Sequence, residues 1–138
     1  MRELLHRDEF LEIERWPERR VVVVARTERR LDDPQQMAAV YRRAFELDSG
    51  ATPDWGIVLD LRRAPGRSDA TFEDAVAPLR HRARERFARM VILVATAVGE
   101  LQTRRLSRQD GGDAIVARDF DEAIELAAPT SIERARRR

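Results

Sequence analysis

Three short apolar runs decide most of what this chain can become: VVVV at 21–24, IVL at 57–59 and MVILV at 90–94. Each is shorter than an ordinary helix, and none is interrupted by a polar residue. A strand with one wet face alternates apolar and polar side chains, whereas a strand covered on both faces reads as a continuous run rich in Val, Ile and Leu. The chain therefore has to supply cover for two faces of a sheet, and helices between the runs are the natural source.

The intervening segments fit. FLEIERW, from Phe10, alternates as a half-buried strand does, and it joins RRVVVVART as a hairpin through Trp16 to Arg20. Asp32 or Asp33 offers an N-cap before Pro34, and Met37, Val40, Tyr41, Ala44 and Phe45 recur at helical spacing. Gly50 and Pro53 end that helix before the strand GIVLDL. A second helix carries Phe72, Val76, Leu79, Ala83 and Phe87, with Pro78 expected to kink or divide it. RMVILVAT is the next buried strand. TAVGELQTRRLSRQ is a helix carrying Val98, Leu101 and Leu106, stopped by DGG; DAIVAR is a strand, and DFDEAIELA a helix capped by Asp119 or Asp121. The expected fold class is α/β, a mixed but mostly parallel five-stranded sheet in the order β-β-α-β-α-β-α-β-α, with right-handed crossovers. We expect Val22, Val24, Ile57, Leu59, Val91 and Leu93 to be buried in that one sheet. The expected organisation is one domain over residues 1–138, with a core from about 10 to 128 and a frayed arginine-rich tail at 129–138.

Composition then removes whole classes of chemistry. With no cysteine there is no disulfide, thiolate nucleophile or Cys-containing metal site, and His6 and His81 are the only nitrogen ligands left. Neither a metal nor a cofactor is expected. No apolar run is long enough to span a bilayer, and MRELLHRDEF has charges where a signal peptide needs apolar residues, so a cytoplasmic location is expected and a membrane role is not. All 26 basic residues are arginine, and 25 acidic residues bring the net charge to +1. That balance argues against a general nucleic-acid binder, and GC-rich codon usage explains the missing lysine more simply than a phosphate-binding surface does.

The strand-loop-helix GIVLDLRRAPGRSDATFEDAVAPLR, the strand RMVILVATAV and the closing IVARDFDEAIELA, in this element order, resemble a STAS domain, the anti-sigma-factor-antagonist-like (SpoIIAA-like) fold. The resemblance spans nearly the whole chain and rests on pattern. It implies a bacterial, non-enzymatic, cofactor-free module that works by binding a partner protein, although some relatives of the fold bind lipids or nucleotides. In the phosphorylated members an Asp-Ser-Ser/Thr-Gly-like segment opens the helix after the strand Asp. Asp60 matches the strand Asp, but the following residues read Ser68-Asp69 in reversed order and lack the glycine. Ser68 is thus the positional equivalent of the switch residue without its motif. Capping of the helix by Asp69 or Thr71 needs only local geometry and is preferred to phosphorylation of Ser68 or Thr71.

Other candidates stand on chemistry alone. A Ser/His/Asp arrangement could use only His6, on a terminus expected to be mobile, or His81 within RHRARER, and neither sits in a nucleophile elbow, so hydrolysis trails as an alternative. Asp54 and Asp60 lie at opposite ends of one strand and do not meet as a carboxylate pair. The helix start at TAVGEL, with Thr96 and Gly99, could hold an anion with Arg62, Arg63 or Arg67 closing over it; this is the small anionic-ligand or lipid sensor alternative. In RHRARERFAR, Arg80 and Arg84 flank one side of the apolar face and Arg82, Arg86 and Arg89 the other. Arg80, Arg84 and Arg86 are the candidate surface for an acidic protein partner, weighed against a solvated helix whose arginine stems shield the core.

Overall fold

A computed structural model describes residues 2–46, 53–65, 70–109 and 115–129. The elements run β1 (Glu3–Arg7), β2 (Leu11–Trp16), β3 (Val21–Arg26), α1 (Pro34–Glu46), β4 (Gly56–Asp60), α2 (Ala70–Arg86), β5 (Arg89–Leu93), α3 (Ala97–Gln109), β6 (Ile115–Ala117) and α4 (Phe120–Ala127). They make one sheet in sequential strand order, with β1, β2 and β3 antiparallel and β3 to β6 parallel.

The sheet has six strands, not the expected five. ELLHR escapes a sequence reading because β1 is an edge strand with little burial to impose alternation, and its pairing with β2 shifts register between Leu4 and His6. His6 is consequently held in a strand rather than on a loose terminus, and its Nε2 lies 2.7 Å from Asp8 Oδ2.

Each continuous run is buried on both faces, as its composition requires. One face carries Leu11, Ile13, Val22, Val24, Ile57, Leu59, Met90 and Ile92 beneath Tyr41, Ala44 and Phe45 of α1 and Ala83 of α2. The opposite face carries Val21, Val23, Val58, Val91 and Leu93 beneath Ala123, Ile124 and Ala127 of α4. The six residues expected to be buried in one sheet are so, yet they divide between the faces: β4 and β5 align Val58 with Val91, which turns Val91 and Leu93 toward α4. In an unbroken apolar run nothing in the sequence sets that phase.

Asp33 caps α1, accepting from the Gln35 amide at 2.9 Å, and Asp119 caps α4, accepting from Glu122 at 3.0 Å. α2 continues through Pro78 as one helix, undivided. Gly50, Gly66, Arg67, Ser68, Asp69, the DGG stop and residues 130–138 lie outside the described residues, as do the side chains of Thr71, Phe72, Val76, Leu79 and Leu106.

Candidate functional site

Because β3 to β6 are parallel, their last residues Arg26, Asp60, Leu93 and Ala117 share one edge of the sheet, the usual place for a ligand crevice in an open α/β fold. The buried carboxylate of Asp60 organises it. Asp60 Oδ1 accepts from the backbone N–H of Arg62 at 3.1 Å and from its Nε at 3.0 Å, and Oδ2 accepts from Nη2 at 2.9 Å. This is a fork-to-fork pair closed within three residues, the strong form of an arginine–carboxylate bond. The hydrogen bond it donates to Asp60 holds the Arg62 guanidinium above its ordinary value, outweighing its partial desolvation. The same guanidinium lies 5.3 Å from the Phe120 ring centre. Arg62 is therefore committed on both its edge and its face, and an anion at this position would have to displace a bidentate carboxylate. Arg63 binds Glu28 across the β3 and β4 ends.

At the end of β5, the exposed Thr96 accepts the Gly99 amide on its Oγ1 at 3.0 Å and so caps α3. A Cβ on Gly99 would stand 3.3 Å from Thr96 Oγ1, a tight contact, and 3.6 Å from Val94 Cβ, an ordinary one. Thr96 and Gly99 thus satisfy each other, as Arg62 and Asp60 do. Of the four expected ligand residues, three are engaged in their own local structure, and Arg67 lies outside the described residues.

Arg26 went unnoticed in sequence. It is 4% exposed, with Nη1 3.5 Å from the Tyr41 hydroxyl, Nη2 donating to the Arg29 carbonyl at 3.1 Å and its Nε buried without an acceptor. It locks β3 to α1 through a carbonyl, a hydroxyl and the Tyr41 ring face. Beneath α1 and α2 lies a cavity of about 10 Å³ lined by Ile13, Val22, Val24, Ala44, Phe45, Ile57 and Phe87. The side chains that line it are all apolar and it is no larger than one water, so it offers an anion no charged or hydroxyl partner.

On α2, Arg86 reaches across to the last turn of α1 and donates to the Phe45 carbonyl, while its guanidinium lies 5.9 Å from the Phe87 ring centre. Arg80 and Arg84 are half-buried along the same helix, each with a partner of its own. His81 pairs with Glu85 one turn on, at 3.0 Å, on the exposed face. Asp54 and Asp60 are kept apart by their partners: Asp54 accepts from Arg20 at 2.7 Å, at the other end of β4. Among the described residues no group of His, Asp and Glu could hold a metal ion, and no helix is long and apolar enough to cross a membrane.

Against this geometry, no family model and no curated protein matches the chain. A solved structure does: an uncharacterised protein of the DUF3478 family from Shewanella loihica PV-4, with a SpoIIAA-like fold, aligns over 93% of this chain and 96% of its own with a TM-score of 0.57 at 18% sequence identity. The likeness extends to nearly the full length of both chains, across an α/β sheet of the same kind, and on that footing this chain has the SpoIIAA-like fold.

Proposed function

We propose that the protein is a non-enzymatic, STAS-like regulatory module of the bacterial cytoplasm that works by binding another protein. The observation that carries this reading is the carboxyl edge of the sheet, where Asp60, Arg62, Thr96 and Gly99 spend their polar groups on one another instead of converging on a shared space. The sheet beneath that edge carries buried apolar side chains on both faces, and the chain outside it is rich in charge; such a molecule is suited to recognition by its exterior. The docking face we assign is the arginine face of α2, with Arg80, Arg84 and Arg86 meeting an acidic partner. Complementary charge of this kind speeds association and sets specificity more than it adds affinity.

The test is affinity capture from the source cells with the wild type and with an Arg80→Gln/Arg84→Gln variant. The expected result is a specific protein retained by the wild type, released by salt, and bound at least tenfold more weakly by the variant, whose melting temperature falls by only a few degrees because Arg80 and Arg84 are half-buried and each has a partner in the fold. Arg86→Gln behaves differently, since it removes the clamp on α1 and lowers the melting temperature further. The reading fails if no protein is retained while an added small anion, such as inorganic phosphate or a nucleotide, raises the melting temperature of the wild type.

A further inference from the structure

The third helix is amphipathic in the wrong sense. Among its residues with described burial, Gly99, Glu100 and Thr103 are half-buried, while Val98 and Leu101 stand 65% and 68% exposed. They are three positions apart and so share one face of α3, its first apolar face, pointed outward. Among the described residues, the guanidiniums of Arg104, Arg105 and Arg118 and the carboxylate of Glu100 belong to α3 and the segment that leads into α4. That carboxylate is divided between two of them, 3.1 Å from Arg104 and 3.5 Å from Arg118.

The neighbouring helix is the chemical complement. α4 has no basic residue, and its exposed face carries Asp121, Glu122 and Glu125, with the partly buried Leu126 at its margin; Phe120 is taken up beneath the helix by Trp16 and the Arg62 guanidinium. Asp119 is occupied as the cap, so these three are the carboxylates left facing solvent. Both helices border β6, the last strand of the sheet, and the Glu100–Arg118 pair joins the first turn of α3 to the segment that enters α4. α3 starts over the sheet face of Val94 and α4 covers the opposite one. A two-fold rotation about the β6 edge would therefore exchange them. Among the described residues β6 offers only Ile115–Ala117 as an open edge, a short stretch to pair with a second copy, and the helices on either side of it are the larger surface for a contact.

We propose that this chain forms a two-fold dimer in which Val98 and Leu101 of each copy dock beside Leu126 of the other, with Arg104, Arg105 and Arg118 facing Asp121, Glu122 and Glu125. A two-fold arrangement satisfies both faces of both copies and closes, so it gives dimers and not filaments. The α2 arginine face takes no part in it, so the dimer stands or falls separately from partner binding.

Sedimentation equilibrium of the purified chain tests it. A concentration-dependent dimer that weakens with added salt is expected, since exposed charges are screened beyond about 8 Å at physiological ionic strength. Arg104→Glu/Arg105→Glu and Glu122→Arg/Glu125→Arg should each weaken self-association at least tenfold, and mixing the two variants should restore it as a heterodimer. Leu101→Asp provides a check free of folding effects, because the side chain it replaces is already in solvent; it too should weaken the dimer at least tenfold while the melting temperature of the monomer holds. A monomer at every concentration overturns the proposal, as does a dimer that ignores Leu101→Asp or a mixture of reversed variants that fails to pair.

Discussion

The two ends of the parallel strands are closed by different means. At the amino edge main chain packs directly on main chain, with the Arg20–Asp54 pair beside it: the Gly56 amide donates to the Arg20 carbonyl at 3.0 Å, the Ala88 amide to the Trp55 carbonyl at 2.9 Å, and the end of α4 lies directly on Gly56. At the carboxyl edge main-chain bonds also run, from the Leu61 amide to the Leu93 carbonyl at 2.8 Å and from the Val94 amide to the Ala117 carbonyl at 3.0 Å, but short polar side chains add to them, Asp8, Thr27, Asp60, Thr96 and Asp119, most of which bond within a few residues of themselves. Where main chain fills the space, one atom too many has nowhere to go. Where short polar side chains fill it, a substitution costs one local bond and leaves the ladder intact. The carboxyl edge is accordingly the one that sequence change can refashion without unfolding the sheet.

The sharpest way to break this contrast is at Gly56. A Cβ there would lie 1.9 Å from the Ala127 carbonyl oxygen and 2.7 Å from its carbon, both backbone atoms at the buried end of α4. No rotamer relieves such a clash, so α4 has to lift from the sheet face it covers. Overpacking costs ~1–3 kcal/mol where side chains can adjust, and Gly56→Ala should reach or exceed the upper figure of about 3 kcal/mol. That corresponds to a fall in melting temperature of roughly 10 °C for a chain of this size. A differential scanning measurement showing a fall of only a degree or two would mean that α4 is held far more loosely than its buried Ala123, Ile124 and Ala127 imply.

Two buried carboxylates give the next comparison, because they differ in reach and hardly in burial. The side chains of Asp54 and Asp60 are 8% and 11% exposed, and their arginine partners 40% and 39%. Asp54, however, pairs with a residue 34 positions away and joins the β2–β3 turn to the start of β4, while Asp60 pairs two positions away. The turn that presents Arg20 is itself constrained, with Arg20 at a φ of +55°, in the left-handed region. Removing one partner of a fully buried ion pair costs about 3–5 kcal/mol; with the arginine free to hydrate, we expect about 2 kcal/mol for Asp54→Ala. Asp60→Ala should cost about 1 kcal/mol, the worth of a local loop bond. Urea titrations of both variants check the order, and equal losses would show that sequence distance plays no part.

These examples also mark what a sequence can disclose. The runs at 21–24, 57–59 and 90–94 announce strands covered on both faces because burial forces their composition, and the caps at Asp33 and Asp119 announce helix starts because their geometry is local. Arg20–Asp54 and Arg63–Glu28 could not be read in advance, since each depends on the register that sets β3 beside β4. β1 is hidden for the opposite reason: as an edge strand it buries too little to leave a pattern. Val98 and Leu101 look like core residues because spacing gives a helix its faces but does not say which one meets the sheet. At the candidate site, Arg62 and Thr96 were legible as residues at strand ends; that each is already satisfied was not.

The smallest expected effect belongs to pH, and it falls on the carboxyl edge at the turn between β1 and β2. Burial there pushes the Asp8 carboxyl up, but the hydrogen bond from His6 and those from the Leu11 and Phe10 amides outweigh it, and the group sits below its ordinary value of 3.8. The two amide contacts are 2.8 Å and 2.7 Å. A carboxyl with a lowered value in the folded state stabilises that state at every pH above the unfolded value, and the contribution disappears as pH falls through the folded one. Stability should hence decline as the solution is taken below about pH 4, a step that begins at the unfolded carboxyl value. Asp8→Asn keeps an oxygen able to accept from the amides and removes the titration, so it should flatten that part of the curve while shifting the neutral-pH melting temperature less than Asp60→Ala does. Melting curves from pH 7 to pH 2 for the two proteins provide the measurement. If the acid limb of the variant matches that of the wild type, Asp8 does not contribute to acid unfolding, and the carboxyl edge is held at this turn by Thr27 and its bond to the Glu9 carbonyl.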